Sequence, residues 1–516
     1  MTADFHAAAR SPALELRGIE KRFGGVHANR AVSFAVKAGS VHGLIGENGA
    51  GKSTAMNVVY GFQRADAGEI LINGRPVQIH SPQDAIAVGI GMVHQHFMLV
   101  GNFTVLENIV LGVEGGAFLA KGLRRARKEV EQIGHAFGLE VPLEAVTESL
   151  PLGIQQRVEI LKALYRGADI LILDEPTAVL TPREVDQFFL MLRRLRDQGK
   201  TVVLVTHKLR EIMAVTDRVT VMRQGAVVAE VETETTTPAE LAEKMVGRAV
   251  LLKVDKSPAQ PGDVLLAVRN IEVCDQHGVA RLKNASFDVR AGEIVGVAGI
   301  AGNGQSELLE VLSGMRQPTR GKILFGGSDL VADRLDPHQR RQLGLAHVPE
   351  DRLRVGVVAE FSAQANLILG YQDRGDFNRG GLLDDGAIAA DCEQKMVDYD
   401  IRPRLPALRV SAFSGGNQQK LVIAREVDGD PKVLLVGQPT RGVDIGAIEF
   451  IHRRLVALRD KGKGLLLVSV ELDEILGLAD RILVVAAGEI VGELSREEAT
   501  EEKIGLLMAG VKGSGT

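Results

Sequence analysis

The sequence predicts an α/β protein built as two tandem copies of one mainly parallel sheet covered by helices. Three observations predict it. Short β-rich apolar runs alternate with longer helical patterns, the first half recurs in the second at a near-constant offset, and a glycine-rich loop follows a strand pattern in each copy. At 516 residues the chain is too long for one compact core. The runs Val41 to Ile45, Ile170 to Leu173 and Thr201 to Val205 read as strands, and Gln155 to Tyr165 reads as a helix. Leu16 to Glu20, Val32 to Val36 and Ala38 to Gly43 recur as Val268 to Glu272, Ala285 to Val289 and Ala291 to Gly296. Later landmarks share a second offset about ten residues longer, so the second copy carries an insertion between its loop and its later strands. The expected boundaries are 12–250 for the first domain and 264–512 for the second. The linker 251–263 between them is polar and holds two prolines, which sustain neither a helix nor a central strand.

Composition narrows the function. With 61 basic and 66 acidic residues the formal charge is −5, against a broad electrostatic footprint for nucleic acid. The absence of tryptophan and 4% aromatic residues leave few platforms for stacking bases. The basic cluster Arg124, Arg125, Arg127 and Lys128 reads as the solvated face of a helix. No apolar run approaches the ~20 residues needed to span a bilayer. The start of the chain lacks the basic and apolar regions of a secretory signal, and cysteine is confined to Cys274 and Cys392, so a reducing cytoplasm is the expected compartment.

The loop Gly46, Glu47, Asn48, Gly49, Ala50, Gly51, Lys52, Ser53, Thr54 matches G-x4-G-K-[ST] in its proper strand-to-helix context, a P-loop. Glycines there let backbone N–H groups converge on phosphate oxygens, and the helix N-terminus adds positive potential. Lys52 is suited to the β and γ phosphates and Ser53 to Mg²⁺. Asp174 and Glu175 end an apolar strand, where Asp174 suits Mg²⁺ and Glu175 suits orienting or deprotonating a water. His207 ends another strand at the same edge.

With these residues in place, the chain resembles the ATP-binding cassette ATPases over nearly all of both copies. The resemblance implies two P-loop NTPase cassettes, each with a RecA-like core, an antiparallel β subdomain and a helical subdomain. It implies ATP and Mg²⁺ as cofactors, Phe23 as an adenine platform, and Gln95 as a sensor of the γ phosphate and Mg²⁺. Read from its residue type alone, Phe23 is equally ordinary packing. The family's Leu-Ser-Gly-Gly-Gln signature is degenerate in the first copy, where Leu150 is followed by Pro151, Leu152, Gly153 and Ile154. In the second copy it is kept as Phe413, Ser414, Gly415, Gly416 and Asn417, followed by Gln418.

The nucleotide loops reverse that pattern. In the second copy the run Gly302, Asn303, Gly304, Gln305, Ser306 puts Gln305 where Lys52 stands, losing a charge-assisted contact of about 1.5–3 kcal/mol. Gly437 replaces Asp174, Gln438 replaces Glu175, Val470 replaces His207 and Glu350 replaces Gln95. If the copies face each other head to tail, as the family's do, one site joins Lys52, Gln95, Asp174, Glu175 and His207 with Ser414 to Gln418 and Asp444. The other site collects every broken part, with Thr181 in the position of Asp444.

The resemblance therefore implies an ATPase that powers an importer through separate permease subunits, two in number, with an extracytoplasmic solute-binding protein and no nucleic acid. The protein would lie peripherally on the cytoplasmic face of the membrane. Within the family it looks most like the simple-sugar and nucleoside group, the strings His94 to Leu99 and Gly302 to Glu307 favouring nucleosides. The alternative is a tandem-cassette translation factor acting on the ribosome, a class that resembles two competent sites joined by a long basic linker. Two readings stand for Phe97 to Val100: part of a surface that docks a permease, or packing in the helical subdomain.

Overall fold

The computed structural model describes residues 11–94, 97–113, 119–177, 180, 182–249, 255–300, 302–379 and 381–508. The chain divides into two compact units, Met1–Val250 and Leu251–Thr516. In the first, a six-stranded sheet runs in the spatial order Ala226–Glu232, Arg218–Arg223, Val41–Gly46, Thr201–Thr206, Ile170–Asp174, Ile90–Val93. Every neighbouring pair is parallel except the Ala226–Glu232 edge. Ile170–Asp174 and Thr201–Thr206 are buried along their whole length, which is why they read as unbroken apolar runs. Each extends one residue beyond the apolar run, to Asp174 and to Thr206.

A second, antiparallel sheet orders Val26–Val36, Leu14–Phe23, Ala67–Ile72 and Arg75–Val77. Helices Val105–Val110, Leu119–Phe137 and Leu152–Tyr165 pack on one another as the helical subdomain. The helix expected from Gln155 starts three residues earlier, directly after Pro151, whose fixed φ of −54° leads into the first turn. In the basic cluster, Arg125 pairs with Glu129 one turn on and stays highly exposed, a solvated face as expected.

The second unit repeats the design with the same strand order: Glu489–Ser495, Arg481–Ala486, Ile294–Gly299, Gly464–Ser469, Val433–Gly437, Leu345–Val348. Its antiparallel sheet is Ala280–Arg290, Val264–Cys274, Arg320–Phe325 and Ser328–Asp329. A two-stranded hairpin, Asn378–Arg379 with Leu382–Leu383, falls in the stretch where the second copy is longer.

The segment read as a linker has no helix or strand from residue 255 to 262, as its prolines dictate. It is nonetheless fastened to the second unit. Lys256 Nζ donates to the Leu478 and Ala479 carbonyls at 2.6 and 2.9 Å and to Asp480 Oδ1 at 2.6 Å. Arg459 donates to the Ser257 carbonyl at 3.0 Å, and the Gly262 amide to the Ala291 carbonyl at 2.8 Å. The polar character that marked this stretch as a linker here supplies donors and acceptors to a neighbouring surface.

Candidate nucleotide site

In the first unit's sheet Ile45 pairs with Thr206, and Asp174 with Val205. The loop after Gly46, His207, and the Asp174 and Glu175 pair therefore emerge side by side from three adjacent parallel strands, at the carboxyl edge where open α/β sheets hold ligands. Gly51 caps helix Lys52–Val59 in the left-handed region, φ 94°. A Cβ there would lie 2.4 Å from the Ala28 carbonyl oxygen and 2.7 Å from Asn29 Nδ2, so glycine alone fits. Buried Asn29 donates to the Gly51 carbonyl at 2.9 Å and holds the turn from behind. Asn48, Gly49 and Ser53 are exposed on the loop's rim, Glu47 and Thr54 are half-buried, and Ala50 is buried, its amide donating to the Glu47 carbonyl.

Lys52 is buried, and its Nζ donates to the Gly46 and Glu47 carbonyls at 2.7 and 3.0 Å. Burial lowers its pKa from the ordinary lysine value, against the opposing pull of Glu175, Asp174 and Glu47. Ser53 Oγ donates to Asp174 Oδ1 at 3.3 Å. Burial raises the Asp174 carboxyl above the usual aspartate range, with Glu175 adding to the rise and Ser53 and Lys52 opposing it. A hydroxyl beside a carboxylate is a hard oxygen pair that fits Mg²⁺ shared with phosphates.

Glu175 stands at φ 48°, with its amide donating to the Val205 carbonyl at 2.8 Å. Its Oε1 lies 2.9 Å from His207 Nδ1. Burial alone would raise this carboxyl; the His207 hydrogen bond and the charges of His207, Lys52 and Lys208 outweigh it and hold the group below the usual glutamate range. The site thus places an ionised carboxylate, steadied by an imidazole, beside a lysine and a metal-ready pair. Gln95 and Thr181 lie outside the described residues.

The second unit keeps the backbone and loses the chemistry. Gly302 and Gly304 are left-handed at φ 89° and 101°, and helix Gln305–Ser313 follows. Gln305 is buried, and its Nε2 has no hydrogen-bond partner. Ser306 Oγ donates to Glu350 Oε2 at 2.6 Å. Gln438 repeats the left-handed turn at φ 46°, its amide donating to the Val468 carbonyl at 2.8 Å and its Oε1 accepting from the Val470 amide at 3.2 Å. An amide and an isopropyl group stand where the first unit has Glu175 and His207.

The signature segments differ in the opposite sense. Ser414 caps helix Gly415–Asp428, its Oγ accepting from Asn417 Nδ2 at 2.8 Å and from the Asn417 amide. Asp444 caps helix Ile445–Asp460 through a 2.7 Å bond from the Ala447 amide. Gly416 sits so close to it that a Cβ would meet Asp444 Oδ2 at 2.6 Å. In the first unit Pro151 occupies the equivalent cap with no side-chain bond; Leu152 is exposed, and Gly153 packs beside Glu184.

Gln418, expected from the resemblance to reach ATP, is instead buried and turned into its own unit. Its Nε2 donates to the Val410 and Phe413 carbonyls at 3.1 Å each, as Gln155 Nε2 does to the Leu150 carbonyl at 2.9 Å in the first unit. Sequence reading passed over Arg352, which donates to the Arg441 carbonyl at 2.7 Å and to Gln418 Oε1 at 3.4 Å, clipping the signature to the segment ahead of Asp444. A basic residue two places after Glu350 was the available signal.

Phe23 closes its strand half-exposed, with Lys21 Nζ 5.4 Å above the ring, so it is not core packing. In Phe97 to Val100 the backbone is pinned, Phe97 and Leu99 are half-buried, and Met98 and Val100 face out. The Met98 amide donates to Glu159 Oε1 at 2.7 Å, and the Met98 carbonyl accepts from Lys162 at 3.1 Å. Asn108 holds both ends of the Val100 peptide while Met98 and Val100 stay exposed.

The fold and this loop define an ATP-binding cassette protein: the chain belongs to the ABC transporter family, whose profile matches residues 29–178 and 282–441, one match in each unit. It is an ABC-type ATPase. Along nearly its whole length it is similar to the nucleoside import ATP-binding protein NupA of Lactococcus lactis, at 45% identity over 97% of this chain and 99% of that protein. The guanosine import ATP-binding protein NupO of Bacillus subtilis is 46% identical over 96% of this chain and 97% of its own length. The glucose import ATP-binding protein TsgD13 of Haloferax volcanii is 44% identical, with 97% and 96% covered. Among solved structures, the archaeal ribosome recycling factor aABCE1 in complex with stalk protein aP1 aligns with TM-score 0.62 over 96% of this chain and 92% of its own, at 20% identity, a likeness of fold alone.

Proposed function

We propose that this protein is the energy-coupling subunit of an importer for nucleosides, hydrolysing ATP at the first unit's loop. The observation that supports this most is the Glu175–His207 pair, 2.9 Å apart and set beside Lys52 and the Ser53–Asp174 oxygens. ATP phosphates lie against the loop from Gly46 to Thr54, with Lys52 turning from the Gly46 and Glu47 carbonyls to the β and γ phosphates and Phe23 under the adenine. Mg²⁺ would be held by Ser53, Asp174 and Gln95 and, when bound, would supply neutralising charge to the phosphates. Glu175 takes the proton of a water as its oxygen attacks the γ phosphorus and the bond to the β-bridging oxygen breaks, giving ADP and phosphate; His207 holds Glu175 in place.

The same reading assigns Ser414, Gly415, Gly416, Asn417 and Asp444 to ATP binding through the signature segment, with Gln418 positioning that segment from behind. It counts Gly302, Gly304, Gln305, Ser306, Gly437, Gln438 and Val470 of the second unit, and Pro151 and Gly153 of the first, as the degenerate motifs. Two permease subunits and an extracytoplasmic solute-binding protein complete the importer, and this chain sits on the membrane's cytoplasmic face. Among the described residues no helix is long and apolar enough to cross a membrane. Two of the relatives named above import nucleosides or guanosine, which favours that cargo over hexose.

Uptake of labelled guanosine, ribose and glucose in cells with and without the gene tests the cargo, with guanosine uptake expected to be lost. Sugar uptake lost in its place would reverse the assignment. In the assembled importer, Glu175→Gln is expected to trap ATP and lower turnover by 100-fold or so, the order of general-base catalysis.

A further inference from the structure

The Glu175–His207 pair is braced by a third side chain that belongs to neither motif. Glu211 is buried on helix Leu209–Val215, which starts two residues after His207. It accepts a hydrogen bond from the hydroxyl of buried Thr177, two residues after Glu175. One carboxylate therefore ties the turn that carries Glu175 to the turn that carries His207. Thr206 completes the frame, its Oγ1 accepting from the Lys208 amide at 3.0 Å. Burial raises the Glu211 carboxyl above the usual glutamate range, with the Thr177 hydrogen bond and the Lys208 charge the strongest opposing effects. Between Glu175 and Thr177 stands Pro176, whose ring fixes φ, so a shift at Thr177 is passed on to Glu175.

The second unit builds the same frame and turns the carboxylate elsewhere. Glu474 is buried at the matching place on helix Leu472–Leu478, and Ser469 Oγ accepts from the Glu471 amide at 3.1 Å, as Thr206 does from Lys208. Glu474 Oε1 lies 2.8 Å from His452 Nε2, on helix Ile445–Asp460, and its Oε2 has no partner. In the matching helix of the first unit, Pro182–Asp197, the position of His452 is taken by buried Phe189, which offers no hydrogen bond. A buried carboxylate needs a polar partner. An imidazole on that helix draws it away from the strand end, and a phenyl group leaves it to Thr177. From this contrast we infer that Glu211 is a positioning residue for ATP hydrolysis, setting through Thr177 where Glu175 stands against His207. Phe189 keeps it there. The inference deepens the proposed function and rests on its assignment of Glu175 as the base.

The test is ATP turnover by the assembled importer. Glu211→Ala and Thr177→Val are each expected to lower kcat about tenfold or more with KM held within about twofold, because placement is lost and binding is not. The two together should cost no more than either alone, as expected of residues that act through one bond. Glu211→Gln, whose amide oxygen still accepts from Thr177, is expected to keep kcat within about threefold. Phe189→His brings the second unit's arrangement into the first and is expected to lower kcat. Glu474→Ala removes the equivalent buried carboxylate of the second unit and is expected to leave turnover unchanged. Normal kcat in both Glu211→Ala and Thr177→Val, a loss in Glu211→Gln as deep as in Glu211→Ala, a loss carried by KM, or an equal loss in Glu474→Ala would overturn the inference. If thermal unfolding shows that Glu211→Ala has lost its fold, Thr177→Val, which keeps the volume at the site, carries the test. Glu175→Gln is measured alongside. Turnover surviving there refutes the base itself, whereas normal turnover in Thr177→Val beside an inactive Glu175→Gln refutes only the role of Glu211.

Discussion

Glu175 and Gln438 hold equivalent left-handed backbones, φ 48° and 46°, each amide bonded to a neighbouring strand at 2.8 Å. A non-glycine residue held in that region costs about 1–3 kcal/mol. The strain persists where no carboxylate remains, so it belongs to the strand-to-turn geometry and not to the chemistry mounted on it. Chemistry at each turn then depends on the side chain alone. Gln438→Ala is therefore expected to change ATP turnover little, against the near-complete loss in Glu175→Gln, and equal losses would refute the division between the units. Gln305→Lys restores the ammonium and is expected to tighten nucleotide at the second loop about tenfold in EDTA, the scale of one charge-assisted hydrogen bond. It should not restore hydrolysis, because the base is still missing; phosphate release from a Glu175→Gln, Gln305→Lys protein would contradict this. Most of these identities were legible in the sequence, since each motif fixes its own spacing. The reach of Glu350 to Ser306 was not: it depends on a side chain missing from a third position, Gly437, on a separate strand.

At the scale of strands and helices, burial on both faces made the parallel strands legible and also sets an acid limit. His42, in Val41–Gly46, stacks on Phe34 and lies 2.8 Å from Thr220 Oγ1, and burial pushes its pKa down to about 3. His347, in Leu345–Val348, is partly buried with an enclosed, unpartnered Nε2, and burial pushes its pKa down to about 4. The unfolded chain protonates both near pH 6.5 while the folded chain does not, so stability is complete above that pH and is lost as pH falls towards 4 and then 3. Each histidine costs about 1.4 kcal/mol per pH unit within its window. Denaturant midpoints at pH 7 and pH 5 measure this, and His347→Leu is expected to flatten the loss for the second unit's transition. What stayed illegible at this scale was side-chain direction: Gln418 turns inward to carbonyls of Val410 and Phe413 only a few residues back, and the Phe97 to Val100 backbone is pinned by nearby Asn108 and by Glu159 far along the chain, contacts that residue type and spacing do not announce.

For the whole molecule, the outward-facing Met98 beside Phe97 supports the docking reading over packing. Phe97→Asp with Met98→Asp is expected to leave ATP binding unchanged and to abolish uptake in the assembled importer, whereas unchanged uptake would remove the docking assignment. The internal repeat and the crossed losses of motif were visible in the sequence because they are statements about one half relative to the other. The hold of Lys256 on Leu478, Ala479 and Asp480 was not, because a proline-bearing polar stretch looks the same whether free or fastened. Gly437 also bears on descent. Any side chain regained there would meet Glu350 and Leu309, so a returning aspartate has to push the glutamate aside to find room. Restoring the lost carboxylate therefore asks for movement in its neighbours as well as a change of residue.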